Sequence, residues 1–235
     1  IQCKHTTLLL PYFEKKGMLL RHASIELRTN LSIIKAALTQ NINAGQFIPQ
    51  SLLSDRDVIM ELISIAPQIY KFASMEIKAD PEVAQHLIYT NARCMGLIPT
   101  GHLTSDHIKT GINLFSGNVK HIPGHMLTYD MISCAIDDYG INLKHAKQFK
   151  RDDKLIWKAL LNNPYAAKYL DVNDCDNRQY MRLLPDELII KYASERLMRE
   201  GIIYIRLIPN VFDVYCPQIM VPDDIQHAIT HKWLA

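Results

Sequence analysis

A two-residue phrase recurs along this chain at an almost fixed interval, and a period of that kind constrains the fold more than any other feature. It stands as Ala23-Ser24, Ile48-Pro49, Ala73-Ser74, Ile98-Pro99 and Ile122-Pro123, at intervals of 25, 25, 25 and 24 residues. A degenerate Ala146-Lys147 follows after 24 more, and Ala193-Ser194 and Cys216-Pro217 extend the series. The following residues also agree: compare Ala-Ser-Ile-Glu-Leu at 23–27, Ala-Ser-Met-Glu-Ile at 73–77 and Ala-Ser-Glu-Arg-Leu at 193–197. Units therefore begin near residues 23, 48, 73, 98, 122, 146, 171, 193 and 216, and the one near Asp171 is compact and poorly matched. Residues 1–22 make a partial unit, with 8–16 as a first half and 17–20 as a second, while 223–234 resembles a first helix with no second half.

Each unit follows one internal order. A polar start signal comes after the phrase: Thr29-Asn30, Ser54-Asp55, Ala79-Asp80, Ser105-Asp106, Tyr129-Asp130 and Asp152-Asp153. Such side chains accept hydrogen bonds from the free N–H groups of a helix's first turn, and Pro81 suits the first helical position. Apolar residues then recur: Leu31, Ile34 and Leu38; Val83, Leu87 and Ile88; Ile132, Ala135 and Ile136; Leu155, Ala159 and Leu160. The period is that of a helix, about 3.6 residues, and not the alternation of a strand. A break follows at Asn41, Ala66-Pro67, Asn91, 116–118, Tyr139-Gly140 and 162–164. Gly and Asn there point to a left-handed helix end, and Pro cannot continue a helix. A second stretch, as at 68–72, 93–97, 141–145 and 165–170, fits one or two helical turns. The expected fold is all-α: an α-solenoid of stacked short helix-turn-helix repeats, about eight to nine units running through 1–235 as one array. A single helix pair cannot bury its own apolar face, so neighbours must do it.

Charge and cysteine usage narrow the partners. With 26 basic and 24 acidic side chains the net charge is +2, which gives no electrostatic reason to expect nucleic acid or an anionic membrane as the main partner. Cys3, Cys94, Cys134, Cys175 and Cys216 are odd in number and widely spaced, as suits thiols in a reducing, cytoplasmic compartment. Buried packing is the expected role of Cys94, Cys134, Cys175 and Cys216, and a zinc site would need tighter pairs. No apolar run approaches the roughly 20 residues of a bilayer span, and no signal peptide opens the chain. Since it begins at Ile1, the chain is expected to be a fragment or a part of something longer.

The run Asp-Lys-Leu-Ile-Trp-Lys-Ala-Leu-Leu-Asn-Asn-Pro-Tyr-Ala-Ala-Lys-Tyr-Leu at 153–170 resembles a short helical-repeat family known only as a domain of unknown function. That family alternates Asp-x-x-hydrophobic-x-x-x-Ala-hydrophobic, an Asn-Gly or Asn-Pro break and Leu-x-Tyr with a short acidic-capped linker. Residues 23–170 match this style repeatedly and 171–235 loosely. Its members occur as arrays in bacterial effector-like proteins and in proteins of protists and giant viruses. The resemblance implies a helical interaction module with no catalytic residues to carry over, working in a host cytoplasm or a virion.

Candidate functional residues are few. His227 and His231 stand four apart on the last expected helix, but no third metal ligand accompanies them, so they are taken as surface histidines and no metal site is expected. His102 with His107, and His121 with His125, flank the turns between units and are candidates to line one edge. Asp152-Asp153 suits capping of a helix start, whereas Asp137-Asp138 lies at a helix end and points to solvent or a partner. Tyr70, Phe72, Tyr165, Tyr169, Tyr192 and Tyr204 are expected to pack between units, with Tyr70, Tyr165 and Tyr169 the candidates for an interaction surface. A basic spot comprises Lys144, Lys147, Lys150, Arg151 and Lys154. No phosphate loop, nucleophile elbow or metalloprotease motif is present. The expected function is a non-catalytic, cofactor-free scaffold for a protein partner. Nucleic-acid binding is the first alternative, and an enzyme lobe with its site in 171–192, at Asp174 or Asp176, is the second.

Overall fold

The computed structural model describes residues 2–171 and 174–193. Among them every regular element is helical and no strand occurs. Six helices of ten residues carry the repeat: Leu31–Gln40, Arg56–Ile65, Pro81–Thr90, Ser105–Leu114, Tyr129–Asp138 and Asp153–Asn162. A helix of 14 residues, Gln2–Lys15, precedes them. After each long helix comes a 3-10 segment of six residues. These are Gly17–His22, Ile42–Phe47, Pro67–Phe72, Ala92–Leu97, Ser116–His121, Gly140–His145 and Pro164–Tyr169. The return to the next helix holds a third piece. It is α-helical at Ile25–Arg28, Gln50–Leu53 and Met75–Ala79 and 3-10 at Thr100–His102, Gly124–Met126 and Lys147–Phe149. Each repeat thus has three helical pieces where the sequence pointed to two, because so short a piece is barely one turn and carries no periodicity.

The long helices start where a side chain can cap them. Asn30, Asp55, Asp80 and Asp152 accept from first-turn N–H groups, as the sequence pattern anticipates. In two repeats the cap sits one residue before the expected pair: Thr104 accepts from His107 N at 3.2 Å and Thr128 from Met131 N at 3.4 Å. Asp106 and Asp130 fall instead within the first turn, where a negative charge complements the helix dipole. The third, fourth, seventh and eighth residues of the ten-residue helices face inward, for example Ile33, Ile34, Ala37 and Leu38, or Leu155, Ile156, Ala159 and Leu160, with Val58 only half-buried. In Ser105–Leu114 the third is His107, which is buried. Its Nδ1 accepts from Thr104 N at 3.3 Å and its Nε2 lies 3.0 Å from the Pro81 carbonyl, so this ring closes a capping box and ties one repeat to the preceding one.

The break after each helix is not left-handed. Asn41, Ala66, Asn91, Phe115, Tyr139 and Asn163 all have φ between −139° and −157°, which is extended backbone open to any residue. Asparagine serves here by its side chain: Asn41, Asn91 and Asn163 Oδ1 accept from the N–H two residues on, at 2.9, 3.1 and 3.0 Å, and so start the 3-10 segment.

The chain divides into two compact units, Ile1–Leu127 and Thr128–Ala235. Within the first, Gln2–Lys15 packs on Leu31–Gln40, Arg56–Ile65 on Pro81–Thr90, and Pro81–Thr90 on Ser105–Leu114. The 3-10 segments stack in chain order from Gly17–His22 through to Ser116–His121. Within the second, Tyr129–Asp138 packs on Asp153–Asn162, and Gly140–His145 on Pro164–Tyr169, which also meets the helix Asp186–Tyr192. Stacking is close enough to dictate residue size. A Cβ at Gly17 would collide with the Ala37 carbonyl, and one at Gly140 with the Ala159 carbonyl. In both places the glycine N–H donates to an amide side chain at the end of the next helix, Gln40 Oε1 or Asn162 Oδ1, at 2.7 Å. The unit near Asp171 departs from the pattern: its described pieces are Asp174–Asp176, Arg178–Met181 and Asp186–Tyr192, with Tyr180, Leu184, Leu188 and Ile189 buried. All but the first residue of the unit opening at Ala193, the unit at Cys216 and the expected helix 223–234 lie outside the described residues.

Candidate functional site

A 3-10 helix has about three residues per turn, so its second and fifth residues eclipse one another. In six of these seven segments the third and fourth residues are buried, as with Ile69 and Tyr70 or Cys94 and Met95, and in Gly17–His22 only the fourth, Leu20, is. The second and fifth residues are thereby turned to solvent. Their cations are Arg21, Lys71, Arg93, Lys120, Lys144 and Lys168, all exposed. Six of the seven segments thus carry one cation each on the outward face, and none of the seven contains Asp or Glu. The exception, Ile42–Phe47, presents Asn43 and Gln46.

The long helices treat charge differently. Lys35 pairs with Glu61, Arg56 with Asp80 at 2.9 Å and with Glu82, and Lys158 with Asp137 at 2.7 Å. Among the described residues no ion pair engages any of the six outward cations of the 3-10 segments. Some lean on rings or amides instead. Lys71 Nζ donates to Asn43 Oδ1 at 3.0 Å and stands 4.6 Å from the centre of the Phe72 ring. Arg93 stands 4.9 Å from the Phe115 ring centre, and Lys168 5.9 Å from that of Tyr169. Exposed apolar residues gather just upstream of these cations, at the last residues of the long helices and the break: Ile65, Tyr89, Leu114, Tyr139 and Leu161. Each compact unit therefore bears exposed cations on its 3-10 segments and exposed apolar residues at the helix ends that precede them.

The sequence candidates fall on and off this edge. Tyr70 is not a surface residue: it is 0% exposed, and its hydroxyl donates to the Lys78 carbonyl at 3.0 Å. Burial, with Asp80 nearby, pushes that phenol up to about 12. An aromatic ring fills core space as readily as it anchors an interface, and here the stack needed its volume. Tyr165 and Lys144 are exposed outward residues, and Tyr169 is half-buried at the end of its segment. His121 is exposed with its ring over Gly96, where burial and Lys120 hold its imidazole below the ordinary value. His125 is exposed on the connector's 3-10 piece Gly124–Met126, off the six-residue segment, and His102 is half-buried. Arg21, Lys71, Arg93, Lys120 and Lys168 were missed as a set; aligning the chain on the six-residue segment, and not on the opening phrase, brings Arg93 to the second position and the others to the fifth, which share one face.

The remaining candidates acquire structural partners. Asp137 has Lys158, whose Nζ also donates to Ser133 Oγ at 2.7 Å, and Asp152 caps its helix. Asp153 accepts from the Tyr180 hydroxyl at 2.5 Å. Asp174 accepts from Asp171 N at 3.2 Å, and burial raises its carboxyl above the ordinary range. Cys94 is buried, and burial pushes its thiol up, but Cys134 is exposed and Cys175 half-buried, so packing explains only the first. Among the described residues no group of His, Cys, Asp and Glu is placed to hold a metal ion. No helix there is long and apolar enough to cross a membrane. His227, His231, Tyr204 and Cys216 lie outside the described residues. Comparison with protein-family models, curated proteins and solved structures finds no match to this chain.

Proposed function

We propose that the chain is an α-solenoid scaffold that holds a protein partner along its 3-10 edge and performs no chemistry itself. The observation that carries this reading is the outward row of cations that have no ion pair among the described residues, together with exposed Ile65, Tyr89 and Leu114 at the preceding helix ends. Interfaces combine apolar and aromatic anchors with Arg and a polar rim, and exposed apolar groups gathered along one edge serve binding better than solubility. A stack of identical pieces also repeats its outward face, which suits an extended partner. The roles that the repeat resemblance brings, a recognition region of an effector or a component of a virus, both call for such a surface.

The row of cations also favours a second reading, a nucleic acid held by its phosphates. Affinity capture with the full chain as bait, run with and without nuclease, separates the two. A protein retained under both conditions, and lost from bait carrying Lys71→Ser, Arg93→Ser and Lys120→Ser, supports the scaffold. Recovery that vanishes with nuclease would replace it with the nucleic-acid reading.

A further inference from the structure

Resting on that reading, we infer that the 3-10 edge of Ile1–Leu127 takes an extended acidic protein segment, with Lys71, Arg93 and Lys120 each meeting one carboxylate. Three consecutive 3-10 segments, Pro67–Phe72, Ala92–Leu97 and Ser116–His121, stack directly on one another and each offers one of these cations. Stacked helical elements lie about 8–10 Å apart. An extended peptide advances about 3.3–3.6 Å per residue. A carboxylate at every third residue therefore keeps step with the row, and the residues between face the exposed Ile65, Tyr89 and Leu114. The segment Ile42–Phe47 interrupts the cations with Asn43 and Gln46, and Lys71 is already bonded to Asn43 there, so the acidic register runs toward Ser116–His121.

Two observations favour a peptide over a nucleic acid. The rings beside the cations, Phe72 and Phe115, are half-buried and covered by Lys71 and Arg93, which leaves the single exposed ring of Tyr89 where a strand would need one ring per stacked base. One cation per repeat is also sparse for a strand with a phosphate every 3.4 Å or so.

The test uses the full chain and labelled peptides of about fifteen residues, repeating Glu-Ser-Leu, Gln-Ser-Leu or Lys-Ser-Leu, with a single-stranded oligonucleotide of similar length. The Glu peptide is expected to bind at least tenfold or so more tightly than the Gln peptide, more weakly as salt rises, and the Lys peptide not at all. The triple variant Lys71→Ser, Arg93→Ser, Lys120→Ser should lose about tenfold while its helical circular dichroism is unchanged, and Lys109→Ser on a long helix should lose nothing. Equal binding of Glu and Gln peptides, or an indifferent triple variant, overturns the inference. If nuclease-resistant capture of a protein persists in that case, the scaffold reading survives without it. An oligonucleotide that outcompetes the Glu peptide and is lost in the triple variant overturns both.

Discussion

The ten-residue helices and six-residue 3-10 segments keep their lengths from repeat to repeat, whereas the connectors between them do not. The first three connectors, 23–30, 48–55 and 73–80, have eight residues each, and the next three, 98–104, 122–128 and 146–152, have seven. This is where the period shifts from 25 to 24. The shorter connectors exchange an α-helical piece such as Ile25–Arg28 for three residues of 3-10 helix such as Gly124–Met126. Four α residues at about 1.5 Å each and three 3-10 residues at about 2.0 Å each both advance about 6 Å. The helical pieces of the eight- and seven-residue connectors therefore advance by similar distances, the five residues of Met75–Ala79 somewhat further. Within each compact unit the helices and 3-10 segments pack against their neighbours, and there a single added residue would rotate the buried stripe out of register.

The largest expected effect lies where the fixed elements touch. Gly17→Ala and Gly140→Ala each drive a methyl into a backbone carbonyl, and urea denaturation should show a loss of about 3 kcal/mol for either. A loss below about 1 kcal/mol would mean the stack can yield as the connectors do. Next comes Asn118, whose Nδ2 donates to the Ala92 and Gly111 carbonyls, both at 2.8 Å, and so bridges two repeats. Asn118→Ala should cost about 2 kcal/mol and Asn142→Ala, with one bond to the Ala135 carbonyl, about 1 kcal/mol. On the connectors the sign reverses. A Cβ at Gly101 or Gly124 meets nothing within 4 Å, so Gly101→Ala and Gly124→Ala should raise stability by about 0.5 kcal/mol through the unfolded chain.

The smallest effect is a pH dependence at the edge. Since His121 is held below its ordinary 6.5, the folded chain takes up that proton less readily than the unfolded chain. Its contribution is complete above that value and declines as pH falls through it toward the lower folded value. Thermal midpoints of wild type and His121→Gln should therefore converge on acidification across that window, and parallel curves would remove the effect.

Much of the architecture was legible because equivalent residues recur. Ile34 and Leu38, Leu87 and Ile88, and Leu155 with Ala159 and Leu160 mark the buried stripe directly. The 3-10 segments were visible as short helical stretches, but six residues are too few to separate a three-residue period from 3.6. Ser105-Asp106 hid the cap at Thr104 because both offer capping chemistry, and Asn41 suggested a left-handed turn because asparagine serves that geometry as well as an Asx turn. Tyr70 could not be told from Tyr165 by residue type: one fills the stack and the other faces water. The cationic edge needed the outward positions of the 3-10 segment to be known before its members could be aligned.

Hydrogen exchange along the full chain, with and without the protein recovered by capture, tests the central claim most directly. New protection should recur in 67–72, 92–97 and 116–121, with the connectors 73–80 and 98–104 unchanged. Protection confined to the connectors or to the outward faces of the ten-residue helices would contradict the 3-10 edge as the binding surface.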